Sequence, residues 1–400
     1  MSPPVSLYNF YVTGASGFLG GQLVKDAHES HPDAKIYIPL RDKKGESAAS
    51  RFKGLYIGYG DSVVLCDPKD PIPGDTTHII LNAYSISFKG DIAKVLRDNV
   101  EPMLGLLDQC SQLAGLRSVT VVSTAFVQPP LPYKICKAPI PFCGSDDPGK
   151  LYKQLLADQI SWQDLKDDQR NDPHTTTNAY ICSKTVMEHL VLQRYGDSLE
   201  ERSVALIIAR PSIISSSEDG HGSAGTPPCV MTKVVDSIAC RTVPGKGRMD
   251  FVHVDHVSQL LIKWATDSEP APTLAVQQQQ QQQQLKCNGV VAKVVFLTSG
   301  SKDLSPKAFG DGMSRGSKWV WFYHMRFWWL AAMVRAMELF VIRFTKGKRA
   351  AQLLRGVYSE TEASYSSQLN RHFKACTTDI YIHNECAHAV VLNLGASVVQ

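Results

Sequence analysis

Two tyrosines in this chain have a lysine four residues later, Tyr133…Lys137 and Tyr180…Lys184. On a helix, positions i and i+4 share a face, so such a pair sets an ammonium beside a phenol. The cation lowers the phenol pKa, which readies it to donate a proton to a developing alkoxide, and it can also bond ribose hydroxyls. Tyr133 lies among Pro129, Pro130, Pro132, Pro139 and Pro141, where no helix can hold the pair together. Tyr180 opens AYICSKTVMEHLVLQRY, a clean helical pattern, so Tyr180 and Lys184 are the candidate pair. A third group is expected at the end of a neighbouring strand. The Val-rich run Arg117–Ser123 ends in Ser123-Thr124-Ala125-Phe126-Val127, and the hydroxyl of either Ser123 or Thr124 could donate to a substrate carbonyl. Arg210-Pro211-Ser212-Ile213-Ile214 ends a further strand on the same sheet edge.

Chemistry of this kind needs a redox partner, and the N-terminus offers a place for one. The apolar run Tyr8–Thr13 leads into Thr13-Gly14-Ala15-Ser16-Gly17-Phe18-Leu19-Gly20, and a helical pattern continues to Ser30. Between strand and helix, Gly14 permits the tight turn, Gly17 lets backbone approach a pyrophosphate, and Gly20 lets helix and strand pack closely. The helix N-terminus, through Phe18 and Leu19, faces the negative charge. This is a dinucleotide cradle. The second strand reads Ile36-Tyr37-Ile38-Pro39-Leu40-Arg41, then Asp42-Lys43-Lys44. A basic residue at its end suits the 2′-phosphate of NADPH, and an acidic one the 2′-hydroxyl of NAD. Arg41 points to NADPH, with Asp42 the residue against. Asp67, after the third strand, is placed to meet the adenine, and Asn82-Ala83 end the fourth strand beside the cofactor.

Positioning these groups requires strands whose ends line up. The first third alternates β-branched runs (Lys35–Leu40, Ser62–Cys66, His78–Asn82) with helical patterns such as Asp91–Leu113, and Val204–Ala209 follows the Asn178–Tyr195 helix. This rhythm predicts an α/β fold, a Rossmann-type doubly wound parallel sheet, with a smaller, mostly helical C-terminal region. Pro129–Gly149 reads as a loop or insertion. We expect a dinucleotide-binding Rossmann domain over 1–275, a Gln-rich linker over 276–286 around the tract Gln277–Gln284, and a partly substrate-binding C-terminal region over 287–400. The 400 residues carry 44% hydrophobic and 20% charged side chains, a globular composition, and a net charge of +4, too balanced for a dedicated nucleic-acid binder. The ten cysteines form no C-x-x-C pair and no zinc-type cluster, so free thiols in a reducing compartment and no metal are expected. The opening MSPPVSLYNF lacks a signal-peptide pattern, which points to the cytoplasm. Trp319–Phe344 is strongly apolar, but His324, Arg326, Arg335, Glu338 and Arg343 interrupt it, so a membrane span is not expected. For 319–344 the expectation is peripheral contact with an intracellular membrane such as the endoplasmic reticulum, or the lining of an apolar pocket; within it, 319–330 would line an acyl groove or form a second hydrophobic core.

In order along the chain, TGASGFLG, STAF, Tyr180-x-x-Ser183-Lys184, RPSII and Asp250-Phe251-Val252-His253-Val254-Asp255 resemble an extended short-chain dehydrogenase/reductase. More narrowly, they are similar to the fatty acyl-CoA reductase (male-sterility) family and the related thioester reductase domains, over roughly residues 8 to 265. The resemblance implies an NADPH-dependent reduction of a long-chain acyl-CoA to aldehyde or alcohol. It puts the family's active-site Ser/Thr at Thr124, with Ser123 second, its Tyr and Lys at Tyr180 and Lys184, and its basic residue at Arg41. Two rivals stand beside it: the same fold acting on another carbonyl or a sugar nucleotide, and a nucleotide sensor without chemistry.

Overall fold

Short β-branched and aromatic runs build the sheet that carries the site. The computed structural model describes residues 8–43, 45–56, 58–85, 91–127, 147–167, 179–215, 217, 251–267, 284–287 and 290–297. Its strands are β1 (Phe10–Val12), β2 (Ile36–Pro39), β3 (Val63–Cys66), β4 (His78–Leu81), β5 (Ser118–Val122), β6 (Ala205–Pro211), β7 (Ile213–Ser215), β8 (Phe251–His253), β9 (Gln284–Cys287) and β10 (Val290–Leu297). Eight of them form one sheet in the order β3-β2-β1-β4-β5-β6-β10-β9, parallel except for the last pair. β7 and β8 pair separately, in parallel. The chain starts in the middle of the sheet and winds outward both ways, so β1 and β4 are neighbours whose following connections leave in opposite directions. That is where a crevice opens beyond the carboxyl ends of the strands.

The helices are α1 (Phe18–Ser30), α2 (Ala48–Tyr56), α3 (Ile92–Gln109), α4 (Pro148–Leu156), α5 (Trp162–Asp167), α6 (Ala179–Glu201) and α7 (Val254–Asp267). Strand side chains alternate between two buried clusters, as a pleated sheet covered on both faces demands. Tyr11, Ile79, Leu81, Val119, Val121 and Ile208 pack with α3, α4 and α6. Phe10, Val12, Ile36, Ile80, Ile207 and Ala209 pack with α1 and α7. Local signals start the helices: Asp91 accepts from the amides of Ala93 and Lys94 at α3, and Asp147 does so from Gly149 and Lys150 ahead of Pro148 at α4.

The expected α/β fold is present, with differences in detail. α6 runs to Glu201, beyond the expected Tyr195. α2, α4 and α5 were not anticipated. β9 and β10 fall in the stretches read as linker and C-terminal region, yet they join the main sheet, with Lys293 opposite Ile207 and Leu297 opposite Pro211. The VVAKVVFL run of β10 is apolar and β-branched, as a strand inside a parallel sheet should be, whereas the Gln tract before it carries no such pattern. Cys66, Cys110 and Cys182 are free thiols. Among the described residues there is no cluster suited to a metal and no helix long and apolar enough to cross a membrane. The 128–146 segment with Tyr133 and Lys137, and the aromatic stretch 319–344, lie outside the described residues.

Candidate active site

The cradle is shaped by three glycines and a threonine. Gly14 has φ +70°, and a Cβ there would stand 3.0 Å from the Ala83 backbone. A Cβ on Gly20 would stand 2.0 Å from the Gly14 carbonyl oxygen, so only glycine fits. A Cβ on Gly17 would meet only that same oxygen, at 3.1 Å, which leaves the space above the loop open. Gly17 is also the N-cap of α1; it has no side chain to bind the first amides, and no acidic residue stands in the first turn. Phe18 and Leu19 turn their side chains to the core, leaving their amides at the helix start. These features fit the pyrophosphate of a dinucleotide, whose negative charge the uncapped amides would meet. Thr13 closes the far side. Its buried Oγ1 accepts from the amides of Asn82 and Ala83 at 2.9 and 3.0 Å and pins the end of β4 to that of β1.

Arg41 lies exposed just past β2. The Asp42 carboxylate accepts from the Ala48 amide at 2.8 Å at the start of α2. Asp67, past β3, accepts from the Lys69 amide at 2.9 Å in its own turn. Arg51 on α2 escaped the sequence reading. Its guanidinium donates to Ser16 Oγ in the glycine loop at 2.7 Å and to the Arg41 carbonyl at 2.5 Å, so it stands between loop and β2. No pattern marks it, because AASRFKGLY has only one buried residue, Tyr56.

The second half of the site comes from β5, β6 and α6. Ser123 still belongs to the ladder, its amide donating to Ala209 at 2.7 Å; its hydroxyl is buried and finds no hydrogen-bond partner among the described residues. Thr124 is the first residue past the ladder, and its hydroxyl bonds the phenol of Tyr180. Burial pushes that phenol up to about 12, with the Thr124 bond pulling the other way. One turn on, Lys184 is 2% exposed, and its Nζ donates to the Val122 carbonyl at the end of β5 at 2.6 Å. Burial pushes its ammonium down to about 7, against the pull of Glu188. Glu188, another turn on, is held by Arg210 of β6 through Nε and Nη2 at 3.1 and 2.6 Å, a buried two-point pair. Pro211 and Ser212 follow, and the Ser212 amide donates to Leu297 of β10 at 2.9 Å. Thr124, Tyr180 and Lys184 thus come together at the carboxyl edge of the sheet, and Tyr84, next to Ala83, links them to the cradle.

A glycine cradle at the β1/β4 crevice and a Tyr/Lys pair on the helix before β6 define an NAD(P)-binding extended short-chain dehydrogenase/reductase. Residues 12–64 and 69–261, more than half of the chain, match the family model described as male sterility protein, and the chain belongs to this family of fatty acyl-CoA and thioester reductases. A Drosophila melanogaster protein named "Putative fatty acyl-CoA reductase" is 24% identical over 234 residues, covering 52% of this chain and 41% of its own. L-2-aminoadipate reductase of Saccharomyces cerevisiae is 23% identical over 300 residues, covering 68% of this chain and 20% of its own. The chain therefore spans less than half the length of these curated relatives. Among solved structures, the terminal R domain of the myxalamid biosynthetic pathway has a TM-score of 0.60 at 14% identity, covering 97% of this chain and 93% of that one. UDP-glucuronic acid 4-epimerase from Bacillus cereus has a TM-score of 0.52 at 13% identity, covering 78% and 85%. Both likenesses are of fold.

Proposed function

We propose that this chain reduces an acyl thioester, a fatty acyl-CoA in the first place, with NADPH as hydride donor and with Thr124, Tyr180 and Lys184 as the reacting residues. The observation that carries the reading is the Thr124–Tyr180 hydrogen bond, with the Lys184 ammonium one turn along α6, beside the glycine cradle. NADPH, when bound, supplies hydride to the carbonyl carbon. The two hydroxyls hold the thioester oxygen between them and stabilise the negative charge that gathers there. Tyr180 gives that oxygen its proton, and the Lys184 charge lowers the cost of the phenolate left behind. The hemithioacetal then breaks its C–S bond, releasing the thiol and leaving an aldehyde. A second reduction on the same residues gives the alcohol.

Three features support NADPH over NADH. Arg41 stands at the end of β2, Asp42 spends its carboxylate on α2, and Arg51 adds a second guanidinium beside the loop. We assign Arg41 and Arg51 to the 2′-phosphate, which guanidinium groups bind at two points. Asp67 goes to the adenine side, and Pro211 and Ser212 to the nicotinamide side. The fly relative's name supports the acyl-CoA choice; the sugar-nucleotide rival rests on fold likeness alone. We further assign the 319–344 stretch to peripheral contact with an intracellular membrane. The test is product analysis by mass spectrometry after incubation with NADPH and palmitoyl-CoA, beside parallel incubations with simple aldehydes and UDP-sugars. Hexadecanal or hexadecanol is expected. Turnover confined to the other substrates overturns the assignment.

A further inference from the structure

We propose that Tyr84 is a positioning residue for Lys184: its ring, fixed through its own hydroxyl, holds the lysine ammonium at its post and keeps it charged. Tyr84 follows Asn82-Ala83 past β4, and none of the motifs above includes it. Its ring centroid lies 3.5 Å from Lys184 Nζ, whereas the Tyr180 ring is 6.0 Å away. An ammonium has three N–H donors; one goes to the Val122 carbonyl, and the face of the Tyr84 ring takes the charge on another side. The ring is not free to swing. Tyr84 donates its hydroxyl to Ser183 Oγ at 2.8 Å, and Ser183 donates to the Tyr180 carbonyl at 2.8 Å. The Tyr84 and Tyr180 rings meet edge to face, 5.8 Å apart at 79°. Ser183 thereby gains a purpose: it ties the tyrosine after β4 to the helix that carries Tyr180 and Lys184.

Among the described residues, the remaining surroundings do little to hold the charge. Lys184 is almost wholly buried, and a buried cation without partners gives up its proton. Among the described residues, the ionisable groups facing it are Tyr180 and Glu188 from α6, Tyr84 from the end of β4, and Arg210 from β6 behind Glu188. Glu188 attracts the ammonium, but its carboxylate is already taken at two points by Arg210, whose charge offsets it. Among the described residues, the Val122 carbonyl and the face of the Tyr84 ring are the two contacts that favour the ammonium without bringing a counter-charge, and the ring is the one a side-chain substitution can remove.

The catalytic consequence rests on the assignment of Lys184 to the reaction; the effect on the ammonium does not. In the full chain without cofactor, the Lys184 Cε signal, assigned with Lys184→Arg, is followed by carbon-13 NMR across pH. The variants are Tyr84→Phe, Tyr84→Leu, and phenylalanines carrying one to three ring fluorines at 84, which weaken the ring face at nearly constant shape. The titration midpoint should fall part of the way in Tyr84→Phe, whose ring loses the tie to Ser183, fall further and stepwise with fluorination, and fall by about one pH unit in Tyr84→Leu. The basic limb of kcat/KM should move down by the same amount. An unchanged midpoint across the fluorinated series and in folded Tyr84→Leu overturns the proposal. A midpoint that moves while the basic limb stays upholds the hold on Lys184 and removes Lys184 from catalysis.

Discussion

A buried lysine beside a phenol sets most of what a single side chain can reveal here. Tyr180→Phe removes one hydroxyl and leaves the helix packing intact, so kcat should fall by about 10²-fold or more while NADPH still binds. Lys184→Ala should lower kcat and also weaken NADPH, measured by fluorescence titration, because its ammonium is assigned to the ribose as well. Tyr133→Phe should change neither beyond about twofold. Lys184 also makes a pH prediction with a definite sign. Its folded pKa, about 7, is below the ordinary lysine value of 10.5, because burial penalises the cation. The reduction rate should therefore fall as pH rises through about 7. Stability should behave oppositely: the buried ammonium costs stability fully below pH 7, and the cost fades as pH rises toward 10.5, where the unfolded chain also loses its proton. Lys184→Met should melt above the wild type at pH 6, with the gap closing by pH 9 to 10 in thermal scans; a gap that widens with pH would contradict the assignment. Arg41→Ala should erase most of the preference for NADPH over NADH, and Arg51→Ala should reduce it, each guanidinium–phosphate bond being worth roughly tenfold in kcat/KM.

The glycine turn makes its prediction as an element. Gly20→Ala drives a Cβ to 2.0 Å from the Gly14 carbonyl and must push α1 away from β1, so NADPH binding should be lost and the melting temperature lowered. Gly21→Ala is the control one residue on. Its Cβ would meet nothing closer than 3.7 Å, and the helix should gain up to about 1 kcal/mol from the better propensity of alanine. Equal loss in both variants would mean that the close approach at Gly20 is not what matters. This turn was legible in the sequence because its physics is local: a strand, three glycines at fixed spacing, a helix. The same holds for β1 to β6 and for Tyr180 with Lys184, which a single helix carries. What escaped depends on contacts distant in sequence. Arg51 sits on a helix with almost no buried face. Tyr84 follows a strand end where no period runs, and β7 and β8 are three residues each. Residue type alone left Ser123 and Thr124 both open, and only the resemblance favoured Thr124, since it is the ladder bond of Ser123 to β6 that leaves the next hydroxyl to Tyr180.

At the scale of the molecule, the aromatic stretch 319–344 carries too many charges to span a bilayer, so alkaline carbonate or high salt should release the protein from membranes. Retention in the pellet with a protease-protected C-terminus would reveal a span instead. A chain stopped at residue 283 lacks β9 and β10 and should be insoluble, or melt well below the full chain, because β6 becomes an open edge. The pairing of β6 with β10 also has a consequence in time. Ile207 meets Lys293, a partner that the ribosome delivers only after the long stretch between Pro211 and Val290 has been made. During synthesis, β1 to β6 and all three candidate catalytic residues leave the exit tunnel while β6 still has one bare row of amides and carbonyls. N-terminal segments fold as they emerge, and such an edge recruits strands from other nascent chains. The hazardous moment for this protein thus belongs to translation, and a pause or premature stop between codons 212 and 290 yields a polypeptide with its candidate catalytic residues assembled on an unfinished sheet.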